Sequence, residues 1–273
     1  MNKIKVKCPA KINLTLEVLN KREDGFHNIQ SVMQAISLYD FLTVSIEDSD
    51  ETKITLSGTS DKIPYNEKNL VYKACELFCQ QVNKTYKIDV FIEKNIPVEA
   101  GLAGGSTDGA GTFFALNELT GKTLNKADIH TLCAKLGSDL NFCLEGGCKL
   151  ATGRGEKLKN LPFHPFKLSL IKPKNFGISA KEAYTKFSQL KNKPNLNITK
   201  RFIDGEISLL HNDLELAVIN DYADLQKIKS AYPQSQMSGS GPTFFLINEN
   251  AKLDGDFLII PNIEAISDGV KIA

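Results

Sequence analysis

The chain has 273 residues, of which 42% are hydrophobic and 24% charged, and it carries a net charge of +1 at pH 7. That length fits one large domain or two of ordinary size, and the balance is that of a soluble globular protein. Near-neutral charge offers no basic face for nucleic acid or an anionic membrane. No apolar run approaches the roughly 18 residues of a membrane span and the N-terminus lacks a signal-peptide pattern, so a cytoplasmic protein is expected.

In chain order, Ile12, Leu14, Leu16 and Val18 alternate with Lys11, Asn13, Thr15 and Glu17, which predicts a half-buried strand. Lys11 and Asn13 then project from one face. Asp24-Gly25 predicts a turn before Phe26-His27, and strands are expected near 42–47, 53–57 and 87–94. A helix starts near Asn69, with Leu70, Ala74, Leu77, Phe78 and Val82 on one face. Next comes a loop with Pro97 and glycines at 101, 104 and 105, after which Ser106 or Thr107 is expected to cap a helix through Phe113, Phe114, Leu116 and Leu119. A helix from about Lys126 is expected to end at Gly137 in a left-handed cap. Ser138 then caps a short helix with Asp139 in its first turn, and a Gly146-Gly147 turn and a strand at 148–151 close this half.

The second half opens with Gly153-Arg154-Gly155 and a strand at 167–171. A capping box, Ser179-Ala-Lys-Glu182, starts a helix, and helical patterns run from about 205 to 232 with a break at 211–213. The tail holds Gly239-Ser240-Gly241, an apolar run at 244–247 and a strand at 257–260. The lysine pairs at 172–174 and 191–193 read as solvated loops. The six cysteines lack paired C-x-x-C spacing and read as reduced, buried thiols rather than a metal site. Strands and helices mix without a βαβ rhythm, so the expected class is α+β in two domains, 1–153 and 154–273.

The glycine loop is the densest chemical signal. Glycines admit close backbone approach, and a loop that feeds a helix N-terminus presents unpaired N–H groups and the positive end of the helix dipole, a site for phosphate. A P-loop is excluded because no lysine precedes Ser106, and G-x-G-x-x-G is excluded because Ala103 stands two residues after Gly101. Asp108 is anomalous: a carboxylate in the first helical turn suits the dipole but opposes a polyphosphate.

Three segments taken together, Pro9-Ala-Lys11-Ile-Asn13, the loop P-x-x-x-G-L-x-G-G-S from Pro97, and Gly239-Ser240-Gly241, resemble the GHMP small-molecule kinases. Asp24-Gly25-Phe26-His27 and Leu136-Gly137-Ser138-Asp139 are similar to the branch whose acceptor is cytidine-diphosphate-linked methylerythritol. The resemblance implies a two-domain α+β fold, a ribosomal-protein-S5-domain-2-like nucleotide domain followed by a ferredoxin-like domain. It also implies ATP and Mg²⁺ as cofactors, a small-molecule acceptor, and a monomer or weak homodimer. Asp139 would take the acceptor hydroxyl proton beside Lys11. Pro97 and Gly101, Leu102, Ala103, Gly104, Gly105, Ser106 and Thr107 would wrap the phosphates, with Ser106 touching Mg²⁺, and Asn69 and Lys94 would border the adenine. Phe26 and Tyr184 would face the two sides of the cytosine while His27 reads its edge. Asn13 would meet the methylerythritol or diphosphate end, with Gly239 and Ser240 also on the acceptor. Two departures stand out: Ala180 removes a hydroxyl contact that relatives often have, and Asp108 replaces a small or neutral residue. A mevalonate- or homoserine-type kinase, and a binding protein without chemistry, are the competing readings.

Overall fold

The computed structural model describes residues 2–190 and 197–273, so the lysines at 191 and 193 lie outside the described residues. Two long strands, β1 (Asn2–Lys21) and β2 (His27–Asp48), form an antiparallel hairpin from which the first sheet grows. β3 (Lys53–Gly58) runs parallel to β4 (Tyr86–Glu93), which pairs with the far end of β2 at 41–48. β5 (Cys148–Thr152) pairs with the near end of β2 at 31–34 and turns into β6 (Lys157–Asn160). A strand of about 20 residues can serve two sets of neighbours only if it bends. The register shifts at Pro9/Ala10 and Asn13/Thr15 supply that bend on both sides of Lys11.

β7 (Lys167–Pro173) opens a second sheet, whereas β8 (His211–Asn212) returns to the first beside β1. β9 (Gln236–Met237), β10 (Phe244–Ile247) and β11 (Phe257–Glu264) complete the second sheet in the order β11-β7-β10-β9, all antiparallel. Counted within this half the order is 4-1-3-2, matching the expected ferredoxin-like unit. No helix separates its third and fourth strands. β12 (Lys271–Ile272) closes the chain against β1.

Helices α1 (Leu70–Val82), α2 (Gly104–Leu119), α3 (Lys126–Leu136) and α4 (Leu140–Glu145) cover the first sheet, with α2 most deeply buried. Their apolar faces meet Val6, Cys8, Leu42, Val44 and Ile46 in one core. Gly111 brings α2 against β1 so closely that a Cβ there would lie 2.3 Å from the Cys8 sulfur. In the second half, α5 (Ala180–Gln189), α6 (Ile198–Ile203), α7 (Asp213–Val218) and α8 (Ala223–Ala231) lie between β7 and β9. Leu16 and Val18 of β1 belong to the core that α5, α7 and α8 make with the second sheet. Ala10, Ile12 and Leu14 pack with Leu168, Leu170 and Phe245 in a third cluster. One strand therefore feeds the cores of both halves.

Several expectations need correction. β1 is not half-buried: Lys11, Asn13, Thr15 and Glu17 are buried as fully as the apolar row, because loops and α6 cover the polar face. Helix α2 starts at Gly104, not after a Ser106 or Thr107 cap, since Ala103 takes the left-handed conformation (φ 61°) that turns the chain into the helix. Gly137 ends α3 in extended backbone rather than a left-handed cap, and Asp139, not Ser138, occupies the N-cap of α4. Ser179 caps α5 through the Glu182 N–H, but the Glu182 carboxylate turns to Tyr222 and Lys186 instead of closing a box. No helix covers 206–210; α6 arises earlier, where the Glu17 carboxylate accepts from the N–H groups of Ile198 and Thr199. Lys172 is buried rather than solvated, its ammonium donating to the Pro173 and Phe176 carbonyls. All six cysteines are buried and free.

Candidate active site

A single cavity of about 1010 Å³ runs between the halves, and most of the expected site residues line it. Lys11 and Asn13, from the polar row of β1, form part of its floor. The Lys11 ammonium donates to Asn13 Oδ1 at 2.7 Å and to the Gly101 carbonyl at 2.8 Å. Asn13 Nδ2 donates to Ser31 Oγ, whose hydroxyl donates to the Thr15 carbonyl. Each buried polar atom thus hands its hydrogen bond to the next, which is what permits a polar row inside a protein. Burial lowers the Lys11 pKa below the ordinary lysine value, and Asp139 works against that shift.

Asp139 reaches the same point from the N-cap of α4. Its carboxylate makes no capping hydrogen bond and lies 3.9 Å from the Lys11 ammonium, with 29% of its side chain exposed to the cavity. That distance is an ion pair but not a hydrogen bond, so the carboxylate keeps its acceptor capacity for a ligand. Gly155 lies behind it: a Cβ there would make only ordinary contacts, 3.6 Å from Ser138 Cβ and 3.7 Å from Asp139 Oδ1.

The glycine loop forms the opposite wall. Thr107 N already bonds the Ala103 carbonyl at 2.9 Å, so the N–H groups of Gly104, Gly105 and Ser106 begin α2 without intrahelical partners. The loop is held from both sides. Gly101 (φ 72°) packs so tightly on the late glycine segment that a Cβ would meet the Ser238 carbonyl at 2.0 Å. Gly239 (φ 54°) lies where a Cβ would be 2.9 Å from the Lys11 ammonium and 2.9 Å from the Gly101 carbonyl. The three segments singled out in the sequence therefore converge on Lys11. Asn212 secures the late segment by donating to the Met237 and Gly239 carbonyls, and Ser240 Oγ contacts the Ile178 carbonyl at 3.4 Å.

Not every loop residue faces the cavity. Leu102 and Thr107 are buried and outside the lining: Leu102 belongs to the core, and its carbonyl accepts from Lys11 N. Pro97, Gly101, Ala103, Gly104, Gly105 and Ser106 do line it. Asn69 caps α1 through the Val71 N–H and borders the cavity. Lys94 is no free cation. Its ammonium binds Asp40 and, at 2.9 Å, Asp108, with all three side chains at most 4% exposed. Burial works to lower the Lys94 pKa, but Asp108 and Asp40 outweigh it and raise the value. Asp40 Oδ1 also accepts from the N–H groups of Asn95 and Ile96, so the cluster ties β2, the end of β4 and α2 beneath the loop. Because α2 starts at Gly104, Asp108 lies beyond its first turn and not in it as expected. A lone Asp in an apolar strand gives no sequence signal for this role.

On the acceptor side, His27 stacks on Tyr184 with ring centroids 5.4 Å apart and planes at 15°, and His27 Nε2 lies 3.2 Å from Ser188 Oγ. Burial, helped by Asp139, pushes the Tyr184 phenol up. Phe26 does not stack with Tyr184 in this arrangement. Its ring is 51% exposed and carries the Arg154 guanidinium over one face. Arg154 lines the cavity and was not singled out by sequence reasoning, although the Gly153-Arg154-Gly155 pattern marks a turn there.

Residues 69–147 match the family described as GHMP kinases N terminal domain. The chain is 38% identical to 4-diphosphocytidyl-2-C-methyl-D-erythritol kinase of Clostridium tetani over 89% of its length and 90% of that protein's. It is 40% identical to the enzyme of the same name from Caldanaerobacter subterraneus, over 92% of the chain and 90% of the relative. The chain belongs to the GHMP kinase family. It is therefore a kinase acting on a small molecule. A solved 4-(cytidine 5'-diphospho)-2C-methyl-D-erythritol kinase superposes with a TM-score of 0.72 at 27% identity, covering 89% of each chain. A homoserine kinase from Cytophaga hutchinsonii gives 0.78 at 17% identity over 100% of this chain and 98% of that one, a likeness of fold alone. No helix among the described residues is long and apolar enough to cross a membrane.

Proposed function

We propose that this kinase transfers the γ-phosphoryl group of ATP to the 2-hydroxyl of 4-diphosphocytidyl-2-C-methyl-D-erythritol, a step of the non-mevalonate route to isoprenoid precursors. The observation that carries the chemistry is the Lys11–Asp139 pair, 3.9 Å apart in the same cavity as the unpaired N–H groups that begin α2. The names of the curated relatives support the acceptor. On this reading residues 1–153 hold the nucleotide and 154–273 complete the acceptor pocket, and the enzyme works in the cytoplasm as a monomer or weak homodimer.

Asp139 takes the proton of the attacking hydroxyl as the oxygen approaches phosphorus. Lys11, 3.9 Å from that carboxylate, favours the developing alkoxide, and in a water-poor pocket this effect exceeds its worth in bulk solvent. The N–H groups of Gly104, Gly105 and Ser106 receive the phosphate oxygens at the positive end of α2. Asn69 borders the base, while Lys94 supports the loop from below. Phe26, His27 and Tyr184 give the acceptor's ring an aromatic surface, and Asn13, Gly239 and Ser240 face its diphosphate or polyol end.

Mg²⁺ fits this site only as an ion held largely by phosphates and water. Among the described residues no cluster of three or more His, Cys, Asp or Glu side chains forms a cage, and Asp108 is committed to Lys94. The Ser106 hydroxyl at the start of α2 is the protein group suited to such an ion, whose contribution is to neutralise phosphate charge. The test is Asp139→Asn: turnover should fall about 10²–10⁴-fold with the KM of both substrates largely kept. Unchanged turnover removes Asp139 as the base. Competition by cytidine diphosphate separates this acceptor from mevalonate or homoserine, and ATP consumption with candidate acceptors separates catalysis from mere binding.

A further inference from the structure

We propose that Arg154 is a specificity-determining residue that acts through Phe26, holding its ring as the outer wall of the acceptor pocket; this rests on the acceptor reading above. Phe26 lies in the turn between β1 and β2, where its backbone is already fixed. Its N–H donates to Asp24 Oδ1 at 3.2 Å, and its carbonyl accepts from Arg22 N at 2.8 Å. Among the described residues no hydrogen bond fixes the ring, which is half exposed in the cavity lining. The contact that does so is the Arg154 guanidinium, 5.0 Å from the ring centroid. Arg22, the guanidinium in this turn itself, is bound to Asp24 through both Nε and Nη2 and is not available for the task.

Arg154 is itself anchored. Its N–H donates to Glu156 Oε2 at 2.7 Å, its Nη2 donates to the Ala134 carbonyl near the end of α3 at 3.2 Å, and its Nε lies 3.9 Å from Glu156. The next residue in the same turn, Gly155, lies beside Ser138 and Asp139, where a Cβ would come within 3.7 Å of both. One short turn between β5 and β6 therefore registers the aromatic wall against the reacting carboxylate. With one face of Phe26 covered by a planar cation, the other is left for a planar base. A ring already held in place spares a ligand the entropy of ordering it.

The test is titration of cytidine diphosphate, cytidine and ADP into the wild type, Arg154→Met, Arg154→Lys, Phe26→Leu and the Phe26→Leu/Arg154→Met double variant. Arg154→Met should weaken cytidine diphosphate and cytidine alike, by about 3–10-fold, and leave ADP unchanged. Arg154→Lys keeps the charge but not the planar, multiply anchored guanidinium, and should fall between the wild type and Arg154→Met. In the Phe26→Leu background the Arg154 change should have almost no further effect. Equal weakening in both backgrounds, or weakening of cytidine diphosphate but not cytidine, overturns the proposal in favour of a direct contact with the diphosphate. A wild type that binds cytidine diphosphate and an Arg154→Met variant that binds it equally well overturns the proposal alone. A wild type that binds neither cytidine compound overturns the acceptor reading and this inference with it.

Discussion

Gly101→Ala is the substitution whose consequences the geometry fixes most closely. Gly101 has φ 72°, and a Cβ built there would lie 2.0 Å from the Ser238 carbonyl and 2.9 Å from Gly241 N. Both obstacles are backbone, so no rotamer change relieves them. Holding alanine in the left-handed region costs about 1 kcal/mol. Separating the two loops also breaks the hydrogen bonds the Gly101 carbonyl accepts from the Lys11 ammonium at 2.8 Å and Ser238 Oγ at 3.0 Å. The first is charge-assisted and worth about 1.5–3 kcal/mol, the second about 1 kcal/mol. The total is about 3–5 kcal/mol, and a displacement of about 1 Å at Lys11 adds a loss of about 10²-fold in kcat/KM.

Urea unfolding and steady-state kinetics measure the two effects separately, and Gly105→Ala is the comparison. There a Cβ makes only an ordinary contact with Leu70 at 3.7 Å, at the start of a helix. That variant should match or exceed the wild type in stability and keep its kcat/KM, because its methyl group meets only Leu70 and alanine favours the helix. If Gly101→Ala unfolds within about 1 kcal/mol of the wild type and keeps its kcat/KM, the convergence of the two glycine loops on Lys11 is not what holds the site together.

Lys94→Met leaves Asp40 and Asp108 buried without a cation and should cost about 3–5 kcal/mol by chemical denaturation; Asp108→Asn keeps an acceptor for Lys94 and should cost far less. Equal losses in the two variants would refute the cluster's electrostatic role. For Lys11, burial lowers the pKa, so between that value and the unfolded 10.5 the unfolded chain binds more protons than the folded one. As pH rises through this window Lys11 makes folding more favourable while turnover falls with the loss of its charge. Alkaline inactivation should therefore precede unfolding when a pH–rate profile is set beside thermal melts, and coincident curves would contradict the assignment.

What the sequence made legible depended on what kind of signal each residue left. The glycines at 101, 104 and 105 announced close approach and a helix N-terminus by residue type alone, and the structure uses them so. The start of α2 was misplaced because Ala103 adopts a left-handed backbone that residue-type reasoning assigns to glycine or asparagine. Alternation on β1 separated two faces correctly but carried no information on what covers each, so Lys11 to Glu17 read as a solvated row. The Lys11–Asp139 encounter is a property of topology: β1 and the α3–α4 junction meet only once the sheet is bent at the shifts that flank Lys11. Asp40 and Arg154 escaped notice because their significance lies in partners distant in sequence.

Asp108 shows how such a partner reverses a local argument. A carboxylate two residues beyond Ser106, below a phosphate wall, should repel the ligand the loop is built to hold. Yet it is 4% exposed and shares the Lys94 ammonium with Asp40. Two carboxylates on one ammonium would still leave a net negative charge. Burial, however, raises the Asp108 carboxyl above the ordinary carboxylate range against the pull of Lys94, with Asp40 adding to the rise. A shift in that direction favours the protonated form and reduces the net negative charge of the cluster. On the proposed function a polyphosphate would then meet the N–H groups of Gly104 to Ser106 rather than a bare charge, and the cluster would stiffen α2 at Asp108 without repelling the nucleotide.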